Sequence, residues 1–80
     1  MHHIMTSAQL RMARAAVGWT VRELDERSGF HRNTITRLES GADGEVRTFG
    51  TLQATLEAAG IIFINENGEG PGIRLKKNSP

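Results

Sequence analysis

Cysteine is absent from this chain, so no disulfide or thiolate site can brace it. A cysteine-free composition fits a reducing cytoplasm. Tyrosine is also absent and aromatics make up only 5% of residues, so no aromatic platform for stacking single-stranded RNA is visible. No apolar run approaches the roughly 20 residues needed to span a bilayer. The N-terminus lacks the apolar segment of a secretory signal. The expected setting is the cytoplasm, with no membrane partner. Lysine is missing from residues 6–60, which hold seven arginines and seven acids. Arginine suits planar, bidentate recognition of phosphate, carboxylate or guanine, which lysine does not. The net charge of +1 by itself says little about partners. A chain of 80 residues makes one small domain with a thin core. Such a domain buries only about 60% of its unfolded surface, so association between chains is the expected source of added stability.

Residues 1–5, MHHIM, read as a leader, and the pair His2–His3 is too little to make a metal site. Thr6 to Gln9 is a T-x-x-Q capping box, with Met5 and Leu10 as its hydrophobic staple. A first helix follows over Ser7–Val17, with Leu10, Ala13 and Val17 on one stripe and Gly18 as its stop. Thr20 to Glu23 repeats the box as T-x-x-E, with Trp19 and Leu24 as staple. The second helix is short, Val21–Ser28, and Gly29 turns the chain at once.

Phe30 and Ile35 frame a third helix over His31–Ser40, with His31 in the cap position and Gly41 as stop. Ile35 and Leu38 point inward, while Arg32, Asn33, Thr36 and Arg37 share the opposite face. Two charges here oppose the helix macrodipole: Arg32 at the start and Glu39 at the end. Each misplacement costs roughly 0.3–1 kcal/mol when exposed. Arginine is suited to guanine O6/N7, asparagine to adenine N6/N7, and threonine to phosphate or a thymine methyl. A solvated helix face would explain polarity, but not a cation at the helix start.

After the GADGEV loop, Thr48 is the expected cap of a fourth helix ending at Ala59. Phe49, Leu52, Leu56 and Ala59 form its inward stripe and Gly60 closes it. The period then shifts to that of strands, Ile61–Asn65 and Ile73–Lys76, joined by the turn-rich ENGEGPG. In the second strand Arg74 and Lys76 alternate with Ile73 and Leu75, giving one basic and one apolar face. The expected fold is mostly α: a four-helix helix-turn-helix domain over 6–60, then a β-hairpin and tail over 61–80.

The catalytic inventory is nearly empty. His31 is the one histidine within the expected fold, and Asp25, Ser28 and His31 cannot form a triad across so short a turn. GEGPG lacks the Lys-Ser/Thr pair of a phosphate loop and precedes no helix. No enzyme activity, metal or cofactor is expected.

The segment RAAVGWTVRELDERSGFHRNTITRLESG resembles the Cro/repressor (Xre-type) helix-turn-helix family, over about residues 6–59. The likeness rests on the Gly29 turn, Ile35 and Leu38, and the Glu39-x-Gly41 ending. It implies a recognition helix beginning at His31, lying in the DNA major groove, with Arg32, Asn33 and Arg37 at base edges. It implies backbone or auxiliary contacts from Thr20, Arg22, His31, Thr34, Thr36 and Arg47. It also implies an ion pair between Glu39 and Arg14, so that Glu39 serves tertiary structure, while the cost of Arg32 is met by DNA. The chain departs from the family pattern at Val21, where a polar residue is usual, at Asp25, where a small one is usual, and at His31, where Ser or Thr usually caps. An aspartate at position 25 needs a hydrogen bond or solvent.

A lone hairpin is marginal in water and its edges invite pairing. Two chains joined through Ile61, Ile62, Phe63, Ile64, Ile73 and Leu75 would form a homodimer. Its recognition helices would stand about 34–36 Å apart on a palindromic operator. Alternatively, the hairpin folds back on its own helices. The expected function is a sequence-specific transcriptional regulator, a repressor, of double-stranded DNA. The rival is an antitoxin-like or other protein-interaction module whose hairpin binds a toxin or other protein partner.

Overall fold

A computed structural model describes residues 4–76. Four helices precede a two-stranded hairpin: α1 Ser7–Val17, α2 Val21–Ser28, α3 Arg32–Glu39, α4 Val46–Ala58, β1 Ile61–Ile64 and β2 Gly72–Leu75. Residues 1–3 of the expected leader lie outside the described residues. Met5 is buried, and its N–H donates to Gln53 Oε1 at 3.1 Å, so the chain joins the core before α1 begins.

Both capping boxes form. Thr6 Oγ1 accepts from Gln9 N–H, and Gln9 Oε1 accepts from Thr6 N–H. Thr20 and Glu23 exchange the same two bonds. The Thr20 backbone N–H, and then its hydroxyl, hold the Glu23 carboxyl below its ordinary pKa. The stability this box adds is therefore present above the ordinary carboxylate range and is lost as pH falls through the depressed value. Gly29 takes φ +86°, a left-handed conformation that costs a residue with a Cβ, and turns α2 into α3.

α4 begins earlier than its sequence suggests. Phe49 N–H already bonds to Glu45 C=O, so Glu45 is the cap residue and Thr48 lies inside the first turn. The reason is tertiary: Gly44 passes so close beneath Leu38 that an added Cβ would lie 2.4 Å from Leu38 Cδ2. Once past Leu38, the chain enters the helix directly. Leu10, Ala13, Leu24, Ile35, Leu38, Leu52, Leu56 and Ile61 are all buried, so every helix and the hairpin contribute to one core. Burial of each such leucine or isoleucine is worth about 1.5–3 kcal/mol.

The strands pair antiparallel with Ile61 opposite Leu75 and Phe63 opposite Ile73, one residue short of the expected strand end in each case. The hairpin folds back onto α1 and α4. Ile61 is buried, and Phe63 and Ile73 are partly buried against the core of their own chain. Gln9 secures this arrangement. Its side chain is buried, and its Nε2 donates to Ile64 C=O at 3.0 Å and Gly72 C=O at 2.8 Å. Ile62 and Leu75 stay exposed.

Candidate nucleic-acid interface

The α3 helix is short, and its position is set by contacts at both ends and along its inner face. Ile35 and Leu38 are buried and fix its rotation against the core. At its C-terminus the Glu39 carboxylate receives Arg14 Nε at 2.7 Å and Nη2 at 2.9 Å, a bidentate pair. Arg14 Nη1 also donates to Trp19 C=O. The hydrogen bond to Glu39 raises the Arg14 pKa, outweighing the opposing effect of partial burial. Arg11 Nη1 donates to the Glu39 backbone carbonyl. Two guanidinium groups from α1 thus meet the negative end of α3, which removes the penalty of an acid there. Sequence alone gives Arg11 no such role, although its i, i+3 spacing from Arg14 places both on one face of α1.

The N-terminus is settled within the chain as well. Asp25 Oδ2, on α2, accepts from Arg32 N–H at 3.0 Å. His31 Nδ1 accepts from Asn33 N–H at 3.0 Å, which requires the ring proton on Nε2. His31 C=O accepts from Thr34 and Ile35 N–H. Asp25 therefore places a carboxylate where the macrodipole favours one. The expectation that DNA alone would compensate Arg32 is corrected on this point: the adjoining acid does part of it in the free protein.

With its ends and inner face engaged, α3 presents Arg32, Asn33, Thr36 and Arg37 outward, all exposed, and Thr34 partly so. Among the described residues, no hydrogen bond or ion pair engages the side chain of Arg32, Asn33, Thr36 or Arg37. Arg22 is exposed on α2, 4.0 Å from Glu26, a loose pair that a stronger acceptor can displace. Arg47 is exposed in the first turn of α4. The N–H groups of Val21 and Arg22 at the start of α2 have no acceptor among the described residues, nor do those of Val46, Arg47 and Thr48 at the start of α4. Open helix starts favour anions. Val21 thus takes the place of a polar residue without closing the backbone donors beneath it.

Elsewhere, the Arg27 guanidinium lies 4.4 Å from the centre of the Trp19 ring. No cluster of His, Asp or Glu suited to a metal occurs among the described residues. No helix of the described residues is long and apolar enough to cross a membrane.

No curated protein and no solved structure matches the chain. A family model described as a helix-turn-helix domain matches residues 7–61, from the start of α1 to the first residue of β1 and more than half of the chain. With α2, the Gly29 turn and α3 in the geometry just described, the chain belongs to the helix-turn-helix domain family.

Proposed function

We propose that this chain is a transcriptional regulator of the Cro/repressor (Xre) type that represses by occupying a short palindromic operator. The observation that carries this reading is the outer face of α3: four exposed polar side chains without partners among the described residues, on a helix held at both ends. In this reading Arg32 and Arg37 meet guanine edges and Asn33 an adenine edge. Thr34 and Thr36 contact the backbone or a thymine methyl. Thr20, Arg22 and the open amides of α2 hold one phosphate, Arg47 and the open amides of α4 hold another, and His31 Nε2–H adds a donor at the groove edge.

The operator's symmetry requires two copies, and the edge of β1 supports their pairing. Lys76 N–H bonds to Gly60 C=O, so by antiparallel alternation the next hydrogen-bonded pairs are Ile62 with Arg74 and Ile64 with Gly72. The backbone groups of Ile61 and Phe63 then point away from β2 and line an edge that is unpaired among the described residues. β2 presents the opposite edge through Ile73 and Leu75, but it follows Pro71 and carries Arg74 beside Lys76, features that discourage pairing. β1 has no charge. Two β1 strands related by a two-fold axis make a four-stranded sheet with both helical layers on one face, and Ile62 and Ile64 line the other. Ile62→Lys should leave the fold intact, because Ile62 is 41% exposed, yet shift sedimentation to the monomer and weaken operator binding. A variant that stays dimeric removes β1 from the interface.

Selection of duplexes from a random pool tests the function itself. Recovery of a palindrome supports the regulator. No enriched sequence, together with tight capture of a single protein by the hairpin, favours the antitoxin-like reading.

A further inference from the structure

The starts of α2, α3 and α4 differ. Those of α2 and α4 keep free amides, as described above. The start of α3 has none: Arg32 N–H goes to Asp25, Asn33 N–H to His31 Nδ1, and Thr34 and Ile35 N–H to His31 C=O. The Asp25 carboxylate also brings a full negative charge to this point from the neighbouring helix, across the Gly29 turn. We infer that Asp25 is a positioning and specificity-determining residue, which closes the start of α3 to DNA phosphate and so reserves it for base edges. This inference rests on the reading of α3 as the base-contacting helix.

A phosphate approaching the start of α3 needs the amides that Asp25 and His31 already occupy, and it meets like charge where it would bind. The same phosphate is accepted at α2 and α4. The protein is therefore drawn to the backbone at two points and held off it at a third, the point where Arg32 and Asn33 emerge. Base amino groups are not repelled there, because a carboxylate accepts from cytosine N4–H or adenine N6–H. The contact also fixes the rotation of α3 relative to α2, since Asp25 and Arg32 belong to different helices. A small residue at position 25 supplies neither effect.

Asp25→Asn keeps an acceptor for Arg32 N–H and removes the charge, whereas Asp25→Ala removes both. Each is compared with the intact chain on a selected duplex and on a scrambled one at several salt concentrations. Amide exchange of Arg32 and the thermal transition are followed in the same samples. For Asp25→Asn we expect Arg32 to stay protected and binding to scrambled DNA to tighten several-fold at low salt. For Asp25→Ala we expect Arg32 to lose protection and the ratio of specific to non-specific affinity to fall about tenfold, with the domain still folded. Equal loss on both duplexes, or an unchanged ratio in both variants, overturns the role of Asp25 while leaving base reading intact. A wild-type chain without any sequence preference overturns base reading, and this inference with it.

Discussion

Glu39→Ala is expected to cost the domain about 3 kcal/mol, the low end for breaking a buried ion pair. The loss is large because one side chain both satisfies Arg14 and joins α3 to α1. Its carboxylate is the bidentate acceptor of Arg14, and its own side chain is only 9% exposed. Without it, Arg14 keeps the Trp19 carbonyl as an acceptor but two of its donors lose their partner. Arg14 is 23% exposed, so water reaches it partly, and this holds the cost at the low end. The C-terminus of α3 also loses its side-chain tie to α1 and keeps only the Arg11 bond to the backbone carbonyl of residue 39. Urea titration of the variant should show a lower midpoint with little change in slope. Replacing both partners by Arg14→Met and Glu39→Leu should recover much of the loss, because no charge is then left unpaired. If Glu39→Ala costs less than about 0.5 kcal/mol, the pair is no more than a surface contact.

The second large effect is expected from Gln9→Leu. Gln9 makes three bonds from a buried position: it accepts from Thr6 N–H and donates to the carbonyls of Ile64 and Gly72. At roughly 1 kcal/mol per hydrogen bond the cost is about 2–3 kcal/mol. Its distribution matters as much as its size. The hairpin should suffer first, because the amide of Gln9 joins both strands to α1. Amide exchange should accelerate at Ile62 and Arg74 well before it does in α2 or α3. Uniform acceleration along the chain would mean that Gln9 holds the whole fold and not the hairpin in particular.

What was legible in the sequence follows the range of the interaction. The capping boxes at Thr6–Gln9 and Thr20–Glu23, the Gly29 turn and the inward stripe of α4 depend on residues within a few positions of one another, and the structure forms them as read. Glu39 and Arg14 are distant in sequence, and only the family resemblance brought them together. The start of α4 was misplaced because the contact of Gly44 with Leu38 is tertiary and leaves no local pattern. Asp25 was recognisable as a residue in need of a partner. The partner is a backbone amide seven residues on, brought close only by the turn. The hairpin was read correctly as two strands, the second with one apolar and one basic face, but alternation cannot say what packs on the apolar face. Ile61 is buried, and Phe63 and Ile73 are partly buried, against α1 and α4 of the same chain. Gln9 appeared only as half of a capping box, since nothing local indicates that its amide nitrogen has a second use. For the candidate interface, α3 gave its outward face directly through the burial of Ile35 and Leu38, whereas the free amides of α2 and α4 became visible only in three dimensions.

In the proposed function the outer face of α3 reads base edges. The direct measurement is the affinity of Arg32→Ala and Arg37→Ala for the selected duplex and for duplexes altered one base pair at a time. Each substitution should cost about 1–3 kcal/mol on the selected site and relax the preference at one position per half-site, leaving the other positions and the non-specific affinity nearly unchanged. Uniform weakening on every duplex, with the preference profile intact and the salt dependence reduced, would make both arginines phosphate contacts and contradict base readout by this helix.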